Sequence, residues 1–213
     1  MLPRRLRRHC LALVALLVCA APSLAEKADR FKPLNVEADL PGKIDLLNQF
    51  VVFNGNVVVT KGTMTIRAAR IEVRELPDGY HTAVAFGSPE HHATFRQKRD
   101  APDETIAGDA ERLGYDGKSD VIRFVGNASV RRLRGSEVSD EISGNLVTYD
   151  SNTEVFSVSG GAPATAANPG GRVRAVLTPK EGSAAAAEAA RAANAAASAV
   201  PQLRTAPSLG AKP

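Results

Sequence analysis

One strand pattern occurs twice in this chain. "FNGNVVVTKGTMTI" begins at Phe53 and "FVGNASVRRLRG" at Phe124; both open Phe-x-Gly-Asn and then place an apolar residue at every second position. Alternation with period 2 puts successive side chains on opposite faces of a strand, and Val, Ile and Thr favour that geometry. A chain that writes such a strand twice, with no long 3.6-residue stripe between the copies, is restricted to an all-β fold.

The pattern extends into a unit. An isoleucine is followed two residues on by a small residue: Ile66 and Ala68, Ile106 and Gly108, Ile142 and Gly144. An apolar pair comes next (Ile71 and Val73, Leu113 and Tyr115, Val147 and Tyr149), and then a turn at Pro77–Gly79, Asp116–Lys118 or Asp150–Asn152. Each unit returns through Phe86, Phe124 or Phe156. Asp-Gly predicts a tight hairpin turn because both positions tolerate positive φ. Small residues inside strands mark bulges or corners. Along "GTMTIRAARIEV" the apolar parity changes at Ala68–Ala69, as a strand does when it bends and keeps its apolar side inward. Repeated corners predict two sheets folded over one another, a roll or sandwich of antiparallel hairpins.

The ends differ from this body. Arg4, Arg5, Arg7 and Arg8 precede the apolar run "LALVALLVCAA" and the small residues Ser23 and Ala25. That order reads as a secretory signal over residues 1–25, cleaved before Glu26. Both cysteines, Cys10 and Cys19, fall inside it, so the exported chain has no disulfide. Removing residues 1–25 takes away four arginines and no acid and leaves 23 basic and 23 acidic residues. A net-neutral chain gives no basis for nucleic-acid binding. From Ser183 the sequence is alanine-rich and then proline-spaced, without bulky apolar anchors, and reads as a disordered or transiently helical tail over 183–213. The expected folded body is residues 26–182.

No enzyme motif is present: the sequence lacks G-x-S-x-G, H-E-x-x-H and a P-loop, and the exported chain has no cysteine nucleophile. No cofactor motif is found. His91 and His92 are adjacent in a strand and point to opposite sides, which is poor geometry for a shared metal. Asp103/Glu104 and Asp140/Glu141 read as solvated charge. "RQKRD" (Arg96–Asp100) and "RRLR" (Arg131–Arg134) read as a wet rim that could also meet anionic groups through charge-assisted hydrogen bonds. The absence of tryptophan and the 5% aromatic content argue against a lectin.

The segments "VEAD", "FNGNVVVTKGTMTIRAARIEV", "GSPEHHATFRQ", "IAGDAERLGYD" and "FVGNASV" resemble the OstA-like family of periplasmic lipopolysaccharide-transport proteins, over about Lys32 to Leu177. The resemblance implies a slightly open β-jellyroll whose apolar interior groove holds the acyl chains of lipid A. It also implies location in the periplasm and head-to-tail self-association by strand pairing. The implied partners are lipopolysaccharide, an LptC-like inner-membrane protein and the N-terminal domain of an LptD-like outer-membrane protein. It places Leu34, Phe95 and Tyr115 on the inner wall, and strand parity adds Val36, Val57, Val59, Ile66 and Phe124. In an open groove a carboxylate at Phe95 stays hydrated, so Phe95→Asp is expected to fold and to lose lipid. The edges are expected at "PLNVEA" and "GRVRAVL", with proline at Val173 removing a ladder donor. A structural or adhesin-like β domain with a filled core is the other reading.

Overall fold

The computed structural model describes residues 29–101, 103–160, 172–180 and 182–198. The proposed signal segment, and the tail beyond 198, lie outside these. The chain divides at Leu177 into a β body and a second unit.

The body contains twelve strands: β1 (Asn35–Glu37), β2 (Leu40–Asp45), β3 (Phe50–Lys61), β4 (Met64–Glu75), β5 (His81–Phe86), β6 (Ala93–Lys98), β7 (Glu104–Ala110), β8 (Arg112–Asp116), β9 (Val121–Arg134), β10 (Glu137–Asp150), β11 (Val155–Ser159) and β12 (Arg174–Leu177). Every registered pairing is antiparallel. The four long strands β3, β4, β9 and β10 each serve two sheets. Arg70–Glu75 of β4 pairs with β5, whereas Thr65–Arg67 pairs with β6. Val121–Val125 of β9 pairs with β8, whereas Ser129–Arg134 pairs with β7. Sheet I therefore runs β2, β3, β4, β5, β8, β9, β10, β11, and sheet II runs β1, β3, β4, β6, β7, β9, β10, β12. In β10, β9 takes one edge throughout and β11 takes the other over Leu146–Asp150, so β12 holds what is left of that second edge.

The repeated Phe-x-Gly-Asn is the corner between the sheets. It sits in mid-strand, not at a strand opening. Gly55 and Asn56 have φ of 76° and 43°, and Gly126 and Asn127 have 80° and 46°. Each pair is a bulge of two residues facing one: the register passes from Asn54↔Arg70 to Val57↔Ala68, and from Val125↔Leu146 to Ala128↔Gly144. Two against one shifts the partner strand by a residue. That is why β4 buries Met64 and Ile66 on one parity and Ile71 and Val73 on the other. In the second repeat of the strand pattern the small-residue strand does not continue round the corner; it is split at Glu111 into β7 and β8.

The expected Asp-Gly turn takes a different form. Gly117 is not among the residues with positive φ; Asp120 is, at 55°. Asp116 instead accepts the backbone N–H groups of Lys118 (2.9 Å) and Ser119 (3.3 Å). Asp45 with Gln49 (φ 49°) and Asp150 with Glu154 (φ 58°) repeat the arrangement. An aspartate that caps its own turn, followed by a left-handed residue, makes a four-residue hairpin loop.

The alanine segment is helix α1 (Ala184–Ser198), within the span expected as a disordered or transiently helical tail. Alanine has the highest helix propensity, and the Ser183 hydroxyl accepts the Ala186 N–H at 3.2 Å as an N-cap. Strand β12 starts at Arg174, so Val173 lies outside the ladder and the expected proline site moves into the strand.

Candidate functional site: the apolar interior between the sheets

The two sheets meet face to face through one apolar cluster. Sheet II contributes Val57, Val59, Met64, Ile66, Phe95, Ile106 and Val130; sheet I contributes Ile71, Val73, Leu113, Tyr115, Ile122, Phe124, Val147 and Tyr149. Phe95 and Phe124 cross the gap edge to face, with centroids 5.7 Å apart. Gly108 makes room, since a Cβ there would lie 2.6 Å from the Phe124 ring. The eight residues expected on the inner wall divide. Val57, Val59, Ile66, Phe95, Tyr115 and Phe124 are brought together in this interior, and Phe95 is only 2% exposed. Leu34 and Val36 are half-buried and pack against the cluster from the β1 edge.

Burial corrects one expectation. A carboxylate at Phe95 has no water to reach, because Phe124 and the sheet cover it. The apolar surface reaches solvent elsewhere. A cleft of about 250 Å³ at the β2–β3 hairpin joins Val51 and Val73 to exposed Ile44 and Leu46.

Opposite the corners, the interior is closed by polar side chains. The Lys61 ammonium, from sheet II, donates to the Tyr115 hydroxyl of sheet I at 2.8 Å, and Tyr115 donates to Asp120 at 3.3 Å. Burial pushes the Lys61 ammonium below its ordinary range and pushes both Tyr115 and Asp120 above theirs. Asp29 accepts from the Thr63 N–H at 2.9 Å and from Gln97, while Arg30 donates to the Lys118 carbonyl at 2.6 Å.

The basic clusters are largely paired. Arg131 holds Glu141 (2.9 Å), Arg132 holds Asp140 and Arg134 meets Glu104 (3.4 Å). Arg99 meets Glu104 and Glu154. Asp140 and Glu141 are therefore ion-pair partners on β10 and not free solvated charge. His92 pairs with Asp109 at 3.1 Å. Among the described residues no group of acids and histidines could hold a metal.

Sequence reasoning missed two sets of residues. The first is a corner acid. Asn56 donates to Asp39 at 2.7 Å and Asn127 to Glu111 at 2.6 Å, while the acids' own N–H groups donate to the Gly55 and Gly126 carbonyls. A signal was present: Ala-Asp and Ala-Glu stand at nearly equal distances before the two Gly-Asn pairs. The second is the polar closure, whose members come from Asp29 to Glu154 and leave no local trace.

The family profile described as "LptA/(LptD N-terminal domain) LPS transport protein" matches residues 35–155, more than half of the chain. The chain belongs to this family. The matched span begins at β1 and ends at the start of β11, so it takes in both corners and the interior between the sheets. Lipopolysaccharide export system protein LptA of Escherichia coli (strain K12) is 29% identical over 178 residues, which cover 78% of this chain and 82% of that protein. The protein of the same name from Haemophilus influenzae is 27% identical over 174 residues, covering 80% and 91%. The crystal structure of LptH from Pseudomonas aeruginosa, described as the LptA-homologous periplasmic component of the lipopolysaccharide transport device, superposes with a TM-score of 0.59 at 20% identity. It covers 71% of this chain and 99% of that one. The fold is thus the β-jellyroll of these lipopolysaccharide-transport proteins, and the family's role is transport, not catalysis.

Proposed function

We propose that this family member carries lipopolysaccharide in the periplasm by holding lipid A acyl chains between its two sheets, and that it extends this site by pairing its edges with other jellyrolls. One observation carries the reading. The residues that the family resemblance and strand parity put on an inner wall converge on a single apolar interior, and that interior reaches solvent beside exposed Ile44 and Leu46. Shielding an acyl chain of a dozen carbons from water is worth roughly 9 kcal/mol at about 0.8 kcal/mol per CH₂. The lipid also starts in an apolar membrane, so the interior needs only comparable affinity along its length. Movement then comes from work done elsewhere.

The edges support the second half of the proposal. β1 and β12 end sheet II on opposite sides, and β2 and β11 end sheet I. All four residues of β12 are exposed, Val176 and Leu177 among them, and Val155 is exposed on β11. Free strand edges offer unpaired backbone groups to another strand. The end-to-end partners are a second copy, an LptC-like protein on the inner-membrane side and the N-terminal domain of an LptD-like protein on the outer-membrane side. Among the described residues no helix is long and apolar enough to cross a membrane.

One observation favours a second reading, a structural β domain. The interior is close-packed, with Phe124, Ile122 and Val147 fully buried. Equilibrium binding of purified lipid A to the wild-type protein separates the two: the carrier binds it and the structural domain does not.

A further inference from the structure

The interior has two long sides, and they are built differently. On the corner side β3, β4, β9 and β10 pass from one sheet to the other, so covalent backbone holds the sheets together. On the far side each of the crossing bonds uses a side chain. Lys61 of sheet II reaches Tyr115 and, through it, Asp120 of sheet I. Arg99 beside β6 reaches Glu154 in the β10–β11 turn. Asp29 is bound to Thr63 and Gln97 on sheet II while its neighbour Arg30 is bound to the Lys118 carbonyl on sheet I and lies 5.7 Å over the Tyr80 ring. The segment at Asp29–Arg30 thus straps the seam, and Gly62 is where it fits, since a Cβ there would overlap the Asp29 carboxylate.

The chemistry of this seam suits opening. Asp29, Lys61, Gln97, Asp120 and Ser151 are all buried. Gln97 Oε1, Ser151 Oγ and Arg30 Nε have no hydrogen-bond partner among the described residues. Charges taken out of water recover little net energy from pairing, and unpartnered polar atoms recover none. Parting the sheets here rehydrates them and offsets part of the cost of exposing apolar residues. An apolar seam would have no such offset.

We propose that the polar seam is a latch, with Asp29–Arg30 as its strap, and that the sheets part along it to admit acyl chains sideways. This rests on the lipid reading of the interior. The test uses the purified protein carrying spin labels at Lys98→Cys on sheet II and Thr153→Cys on sheet I. Asp29→Ala and Lys61→Met are compared with wild type, and Asp120→Asn serves as the shape-preserving variant if either fails to fold. The inter-label distance distribution without lipid is expected to broaden and lengthen in the variants, and uptake of lipid A from detergent micelles to be several-fold faster. Folded variants with an unchanged distance distribution, or with an unchanged uptake rate, would overturn the latch. A widened seam with no lipid A taken up by any of the proteins would support the latch and sink the lipid reading instead.

Discussion

The side-chain amide of Asn127 donates to the Glu111 carboxylate across 2.6 Å, and the Glu111 N–H returns a bond of 3.0 Å to the Gly126 carbonyl. The same two bonds join Asn56 and Gly55 to Asp39. Gly126 has φ of 80°, where an L side chain is strained, and a Cβ there would lie 2.4 Å from the Glu111 carboxylate. Gly126→Ala is therefore expected to cost roughly 1–3 kcal/mol. Asn127→Gly accommodates the φ of 46° and loses the bond, at about 1 kcal/mol. Urea unfolding of both variants checks the order. Equal costs would mean that the bond, and not the left-handed bulge, sets the corner.

The edges give a prediction with an internal control. Successive N–H groups of a strand point to opposite sides, so of Ala175 and Val176 in β12 one faces β10 and the other faces outward. Proline at the outward position removes a donor that a second copy needs and no donor that the fold uses. One of Ala175→Pro and Val176→Pro should keep the wild-type melting temperature and lose concentration-dependent self-association in sedimentation velocity. Long oligomers persisting in both variants would put the interface elsewhere.

Acid stability follows from Glu141. The Arg131 guanidinium hydrogen-bonded to it holds its carboxyl below the usual carboxylate range. A group whose folded pKa is depressed contributes stability above its unfolded value, near 4.5. That contribution is lost as pH falls through the folded pKa. Both side chains are partly exposed, so solvent screening limits the pair to under about 1 kcal/mol. Glu141→Gln should melt slightly below wild type at pH 7, and the gap between the two melting curves should close as pH falls below 4.5. A gap that widens on acidification would reverse the sign.

Phe95→Asp now carries a definite expectation. The side chain is buried against Phe124, so the variant should lose roughly 3–5 kcal/mol as an unpaired buried charge does. Thr94→Asp, on the exposed face of the same strand, should change stability by less than about 0.5 kcal/mol. Similar melting temperatures for the two would mean that the interior is open to water.

Local chemistry is what could be read from the residues. The parity change at Ala68–Ala69 exposed the corner, and the aspartates at 116 and 150 marked the hairpins. The form of each turn was hidden, because the left-handed residue is Asp120 or Glu154, at the end of its loop and not at the position after the capping aspartate. The break at Glu111 was hidden too, since the alternation on either side of it matches that of the unbroken strands. The helix at Ala184–Ser198 rests on alanine propensity and the Ser183 cap, and it has no apolar stripe from which its bounds could be read. Parity marked the apolar face of each strand, and resemblance alone pointed to Leu34, Phe95 and Tyr115; the burial of Phe95 and Tyr115 was hidden because it depends on how closely two distant sheets approach. The seam joins Lys61 to Tyr115 across 54 positions, and only the folded register reveals it.

The central claim is that acyl chains lie between the sheets, and parity on single strands tests it most directly. A photo-reactive amino acid is placed in turn at Ile66 and Phe95, which face inward, at half-buried Val36, and at Arg67 and Thr94, which face outward on β4 and β6. After irradiation of cells, lipopolysaccharide adducts are expected from Ile66, Phe95 and Val36 and not from Arg67 or Thr94. Adducts from the outward positions alone, or from none of the five in stably folded protein, would contradict it.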